Sequence, residues 1–143
     1  MRKTASIASI LLGAIMIVAA IATWVVVSST LSDQKIVVSD DADCAAGSTV
    51  AGPISAYCQA KVIDKHTLEA TDGRTYAELD REDPLRETAM DSAFLQASLF
   101  TSVVAFGVAA MAAAMGVIFI LIGLGIRDVS TRAASRTDAT STD

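Results

Sequence analysis

The sequence predicts an all-α membrane protein, a two-helix transmembrane hairpin with a small, mainly helical, disulfide-closed extracytoplasmic domain. Three observations predict it. Two blocks carry no ionisable side chain, Thr4 to Ser32 (29 residues) and Ser92 to Ile126 (35 residues). Basic residues flank them on the far sides, Arg2 and Lys3 before the first and Arg127, Arg132 and Arg136 after the second. Between the blocks, Asp33 to Asp91 holds 13 acidic against 6 basic residues and both cysteines.

Each block exceeds the roughly 20 apolar residues that a helix needs to cross a hydrocarbon core of about 30 Å. The hydrophobic fraction of the 143 residues, 52%, is only mildly high, because the apolar residues are concentrated in these blocks. The first block also resembles a secretory signal, with its basic start and the small-residue motif Ala20-Ile21-Ala22. The apolar run continues through Trp24 and Val25 to Val27, however, which favours a retained span, and Trp24 suits an interfacial position at its outer end. Lys and Arg close to a span favour the cytoplasmic side. Two spans with basic outer flanks therefore give a hairpin in the plasma membrane with both termini cytoplasmic.

Cys44 and Cys58 then lie together in the extracytoplasmic segment, where a pair reads as a disulfide. Metal or redox roles for the pair lack a CxxC spacing and neighbouring ligands. The spacing does not say whether the bond closes within one chain or joins two.

The boundaries follow in order. Residues 1–6 form a cytoplasmic start and 7–28 the first transmembrane helix. Residues 29–93 form the extracytoplasmic domain. Within it Lys35-Ile36-Val37-Val38 reads as an extended piece, and Cys44 to Pro53 as a small-residue loop. A helix is expected from Ile54 to about Asp72-Gly73, with Gly73 as its C-terminal cap. Thr75-Tyr76-Ala77-Glu78 matches a capping box that would open a second short helix. Asp72-Gly73 is also a hairpin signal, and Ala, Glu, Lys and Leu content favours helices instead.

Asp83-Pro84 is the clearest helix start, with Asp at the N-cap and Pro at the first helical position. Leu85, Ala89, Ala93 and Ala97 follow at spacing four, and nothing breaks the pattern before Arg127. The second transmembrane helix, 94–126, should thus continue a stalk helix that begins at about residue 84. Residues 127–143, small and polar, are expected to be a disordered cytoplasmic tail.

Catalytic and metal-binding signals are weak. His66 is the single histidine, near Asp64, Glu69 and Asp72, and a metal site needs three or four convergent ligands. P-loop, Rossmann and nucleophile-elbow patterns are missing. No ionisable residue lies within either span, and Gln96 is the one amide near a span edge, which argues against an ion or proton pathway. The sequence points to a protein without enzymatic activity, cofactor or nucleic-acid partner. What the spans do carry is small residues at spacing four: Ser9 with Gly13, Ala105 with Ala109 and Ala113, and Ala112 with Gly116. Such faces let helices approach closely in lipid, here mainly between the two spans of one chain.

Gln96-Ala97-Ser98-Leu99-Phe100-Thr101-Ser102-Val103-Val104-Ala105-Phe106-Gly107-Val108-Ala109-Ala110, with Thr75-Tyr76-Ala77-Glu78-Leu79, resembles a family of small actinobacterial two-span membrane proteins. These are frequently labelled "aromatic ring-opening dioxygenase LigA", and the likeness covers nearly the whole chain, two-cysteine loop included. The label implies an extradiol dioxygenase with iron held by histidines and a carboxylate. With His66 alone, no catalytic residue carries over, and the residues do not support the label. The expected role is an accessory or stabilising subunit of a cell-envelope membrane complex, its partners being the bilayer and another membrane protein or a homo-oligomer. The alternative is an extracytoplasmic ligand-binding or sensing module.

Overall fold

In the computed structural model the backbone is described for residues 2–140 and the side chains for 4–129. The elements are α1 (Arg2–Asp33), α2 (Pro53–Ala70), a single 3-10 turn (Tyr76–Glu78) and α3 (Arg86–Thr140). Among the described residues there is no strand, only one isolated antiparallel bridge between Val37 and Thr49. The chain divides into two compact units, Met1–Thr23 with Val108–Asp143, and Trp24–Gly107.

The first unit is built from the start of α1 and the later part of α3. Among its described side chains almost every large one on the surface is apolar and exposed, Ile15, Val18, Met111 and Leu121 among them. Its buried positions are small: Ser6, Ala20 and Ala109 are at most 5% exposed.

The second unit, Trp24–Gly107, has a core of Leu31, Val38, Val50, Ala56, Cys58, Ala60, Leu99 and Phe106. The β-branched run after α1 alternates as a strand would: Val38 is wholly buried, Val37 is 53% exposed, and Ile36 packs against the core. Val38 N–H donates to Ser48 O and Val50 N–H to Ile36 O, both at 2.9 Å, so residues 36–38 pair with 48–50. The return between them needs left-handed backbone at Ala45 (φ 52°) and Gly47 (φ 70°). The segment expected to be a plain small-residue loop thus supplies half of a short ladder. Ser28 Oγ on α1 holds that segment by donating to Ala51 O at 2.7 Å.

Helix α2 starts at Pro53, its first helical residue, where the absent N–H is one that no helix satisfies. Ser55 Oγ accepts from the Ala51 and Gly52 N–H groups at 3.2 Å each. At the other end Gly73 N–H bonds to Leu68 O at 2.7 Å, the six-residue closure of a Schellman motif. Asp72 (φ 54°), rather than Gly73, takes the left-handed position just past the cap, and Gly73 follows at φ 79°. This closure removes the hairpin reading of Asp72-Gly73. The second helix expected at Thr75 shrinks to the 3-10 turn. Its box still forms on one side, with the Thr75 N–H and hydroxyl both donating to Glu78 Oε2 at 2.8 Å.

Arg74 and Arg86 fasten this connection to the start of α3. Arg74 Nη1 meets Asp83 Oδ2 at 3.0 Å, while Arg86 stacks 4.3 Å over the Tyr76 ring and donates to Leu79 O. Asp83 accepts from Leu85 N–H at 2.9 Å, with Pro84 between them. That is the cap chemistry the sequence predicts, although the regular helix begins two residues later than expected, at Arg86. The Leu85 N–H and, to a lesser degree, Arg74 hold the Asp83 carboxyl below its usual range. Asp83→Ala should destabilise this connection by removing the cap on the Leu85 N–H. Chemical denaturation of the Trp24–Gly107 unit would check it, and an Asp83→Asn variant should recover most of the loss.

The face of α3 buried in the second unit differs from the expected one. Ala89, Ser92, Leu99 and Phe106 are buried, whereas Ala93 and Ala97 are exposed. A strict spacing of four drifts around a helix of 3.6 residues per turn, so Leu85, Ala89, Ala93 and Ala97 in series cannot hold one face. The helix also continues past Arg127 to Thr140, where the sequence reading expects a disordered tail. From Arg127 to Thr140 there is no Gly or Pro, and Ala and Arg are good helix formers, so nothing local ends the helix. Residues 141–143 of that tail lie outside the described residues.

Candidate functional site

The best-built feature of the first unit is a close crossing of α1 and α3. A Cβ placed on Gly116 would lie 2.7 Å from Gly13 O and 2.7 Å from Ile17 Cγ1. On Gly13 it would collide with Gly116 O and come within 2.8 Å of Ile120 Cγ1. On Gly123 it would lie 2.6 Å from Ile10 Cγ1 and 2.9 Å from Ser6 O. Only glycine allows this backbone approach. Ser6 Oγ donates to Gly123 O and Ser9 Oγ to Phe119 O, both at 2.7 Å. These bonds satisfy hydroxyls that apolar surroundings would otherwise leave costly.

The contacts follow an antiparallel register in which Ser6 faces Gly123 and Gly13 faces Gly116. The same register sets Ala20 opposite Ala109, both buried. On each helix the small residues recur every seven positions: Ser6, Gly13 and Ala20 on α1, and Ala109, Gly116 and Gly123 on α3. Seven residues are two turns, and a seven-residue period keeps one face on a partner along a slowly winding pair.

Of the residues singled out by spacing four, Ser9 reaches across the crossing and Gly13 and Gly116 form its centre. Ala109 is buried, while Ala105, Ala112 and Ala113 are only partly so. Ser6, Ala20 and Gly123 were not among them. A search at spacing seven would have found them, since alanine is dense enough here to fill spacing four by chance. Gly107 and Gly125 meet nothing within 4 Å of an added Cβ.

The second unit holds a cleft of about 550 Å³ lined by residues that include Asp41, Cys44, Tyr57, Lys61, Lys65 and Glu69. Cys44 and Cys58 are joined within the chain, with Cα atoms 5.6 Å apart, inside the range a disulfide spans without backbone movement. Beside the bond, Asp41 Oδ2 lies 2.7 Å from His66 Nε2 and 3.4 Å from Lys65 Nζ. The hydrogen bond from His66 chiefly lowers the Asp41 carboxyl below its usual range. The sequence places His66 on a helix face with Glu69. Its partner instead comes from 25 residues earlier, which no local pattern signals. Gln96 donates to Ser92 Oγ at 3.3 Å, and Ser92 also bonds to Thr67 on α2. Among the described residues, no group of three or more His, Cys, Asp or Glu is arranged to hold a metal ion.

Asp41, Glu78 and Asp83 share one sign of shift. Each carboxyl titrates below its ordinary value (3.8 for Asp, 4.5 for Glu) in the folded domain, so the folded state holds fewer protons there. Their contribution is complete above those values and is lost as pH falls through the lower folded ones. The second unit should hold a flat melting temperature from pH 7 to about 5, and that temperature should fall progressively below about pH 4. A melting temperature that rises on acidification through that window would contradict the pairings.

The chain matches no protein-family model, no curated protein and no solved structure.

Proposed function

We propose that the chain is a non-enzymatic two-span protein of the plasma membrane, an accessory or stabilising subunit of a cell-envelope membrane complex. Both termini would be cytoplasmic, with the disulfide-closed domain outside. One observation carries the membrane reading. The most apolar 18-residue windows of Thr4–Asp33 and Arg86–Val129 are only 11% and 17% buried within the molecule. Burial in a protein core would need most of that surface covered, so another apolar phase must cover it, and lipid does so along the whole length. The charge distribution supports the orientation, with net −7 between Asp33 and Asp91, Arg2 and Lys3 before the first apolar block and Arg127, Arg132 and Arg136 after the second.

The crossing supports retention of the first span. Gly13 and Ser6 cover the Gly116–Gly123 face of α3, and cleavage near Ala20-Ile21-Ala22 would strip that cover away. Nothing in either span carries a charge for transport, and no constellation in the outer domain supports catalysis, which leaves packing and presentation as the role. The experiment is a pull-down of the tagged chain from mild detergent at native expression, read by mass spectrometry. Recovery of a near-stoichiometric membrane complex would support the subunit reading. Recovery of this chain with no other protein would remove the larger complex from it.

The mixed-charge cleft beside Cys44–Cys58 favours one second reading, a ligand-binding or sensing role for the outer domain. It would require the domain's melting temperature to rise with a physiological cation or envelope component, and indifference to all of them would end it.

A further inference from the structure

Three contacts within the second unit set the height of α2 along the two long helices. Ser28 Oγ on α1 donates to Ala51 O at 2.7 Å, two residues before α2 begins. Tyr57 on α2 meets Phe100 on α3 edge to face, with ring centroids 6.1 Å apart. Thr67 and Ser92 share a hydrogen bond between their hydroxyls. From Tyr57 to Thr67 α2 rises about 15 Å, while α3 covers about 12 Å from Phe100 back to Ser92. The two helices are therefore antiparallel, and the start of α2 points along α3 toward its apolar stretch.

On the membrane reading the hydrocarbon boundary lies where the apolar runs end. The run of α1 stops at Val27, followed by Ser28, Ser29 and Thr30. The run of α3 begins at Val103, preceded by Thr101 and Ser102. Its 24 residues to Ile126 rise about 36 Å, enough for a core of about 30 Å. Phe100 lies three residues above Val103, about 4.5 Å of rise. Ile54 lies three residues below Tyr57, about 4.5 Å down, which returns it to the level of Val103. Its side chain is 72% exposed. A bare isoleucine at that height faces acyl chains.

The order of side chains up this face follows the polarity of a leaflet. Ile54, Tyr57 and Lys61 recur at spacings of three and four, and all three are exposed. A bilayer's polarity gradient selects an aliphatic side chain at the boundary, a tyrosine in the headgroup layer and a lysine above it. A protein surface would not require that order. Lys61 is the first charge on α2 and makes no ion pair among the described residues. The segment Asp33 to Asp91 carries 13 acidic residues, yet none falls in the 17 residues from Cys44 to Ala60, which lead into and begin α2.

We infer that the first turns of α2 rest in the outer leaflet of the bilayer that the chain itself spans, Ile54 against acyl chains and Tyr57 among the headgroups. The domain between the spans is thus seated on lipid rather than held clear of it. The inference rests on the two-span reading and adds to it a lipid contact outside both spans.

The test uses the full chain, with the Cys44–Cys58 bond intact, in vesicles of phosphatidylcholine and phosphatidylglycerol. A maleimide nitroxide is placed on one added cysteine at a time: Val18→Cys in the first span, Ile54→Cys, and Glu69→Cys near the far end of α2. All three positions are exposed, so the probes displace no packed side chain. Collisions are measured with oxygen, which concentrates in lipid, and with a nickel chelate, which stays in water. The ratio of oxygen to nickel collisions should be severalfold higher at Ile54→Cys than at Glu69→Cys, and highest at Val18→Cys. Free access of nickel to Val18→Cys would refute the two-span reading and the lipid seat with it. With Val18→Cys in lipid, an Ile54→Cys probe that meets nickel as freely as Glu69→Cys would place the start of α2 in water. One shielded from both reagents would place it under another protein. Either result would overturn the lipid seat and leave the two-span reading standing.

Discussion

Gly116→Val should lower the stability of the α1–α3 pair by roughly 3 kcal/mol, the upper end for overpacking a well-packed interface. The reason is geometric. An added Cβ meets backbone on one side, Gly13 O, and a half-buried branched side chain on the other, Ile17 Cγ1, each at 2.7 Å. Backbone cannot swing away as the end of a flexible side chain would. The two helices must separate or slide, and either movement pulls Ser6 from Gly123 O and Ser9 from Phe119 O. Those two interhelical hydrogen bonds add about 0.6 kcal/mol each, on the scale measured for such bonds in membranes. Gly13→Val should behave the same way, because the collision is reciprocal. Gly107→Ala and Gly125→Ala should be nearly silent, since an added Cβ there meets no atom within 4 Å. Thermal or detergent unfolding of the purified chain in nanodiscs would read the difference. Equal behaviour of Gly116→Val and Gly107→Ala would mean that the crossing does not hold the helices together.

The contrast between Gly116 and Gly107 also shows what the sequence could reveal. The existence and type of the two long helices were legible, because a charge-free run of 29 or 35 residues has few alternatives. The N-cap at Asp83 was equally plain, because Asp before Pro has one favoured use at a helix start. The partner of each glycine was not legible. Spacing four suits a short crossing, spacing seven a long one, and a single sequence does not say which crossing is present. The ladder between residues 36–38 and 48–50 was half legible. Ile36, Val37 and Val38 announce an extended piece, but their partners sit in a Gly, Ala and Ser stretch with no strand propensity, held by Val50 burial and the turn at Gly47. The contact of His66 with Asp41 depends on how that loop folds back onto α2, and nothing local encodes it. The shrinkage of the helix expected at Thr75 to one turn has a similar cause. The Arg86 and Arg74 contacts hold residues 74–83 against the start of α3, which leaves no room for a longer helix.

Removing the disulfide by Cys44→Ala with Cys58→Ala should destabilise the Trp24–Gly107 unit by roughly 3 kcal/mol in the chain-entropy model. The bonded residues are 14 apart, so the unfolded chain regains the freedom of a loop of about that length. Little else restrains the segment. Between α1 and α2 the chain forms one isolated bridge, and its anchors are Val38, Val50, the Asp41–His66 contact, the Ser28 Oγ to Ala51 O bond of 2.7 Å and the Ser39 N–H to Gln59 Oε1 bond of 3.1 Å. Cys58 is itself 1% exposed in the core, so alanine there also forfeits packing, and Cys44→Ser alone, which breaks the bond while Cys58 keeps its place in the core, separates the two effects. A domain this small stands only a few kcal/mol above unfolding, so losing the bond should expose residues 34–52 to protease at temperatures where the oxidised chain resists. Because the bond closes within one chain, the oxidised protein should run as a monomer on a denaturing gel with or without reductant, with faster migration when oxidised. A double-alanine variant that resists protease as well as the oxidised chain would show that the packing of Val38 and Val50 against α2 suffices without the bond.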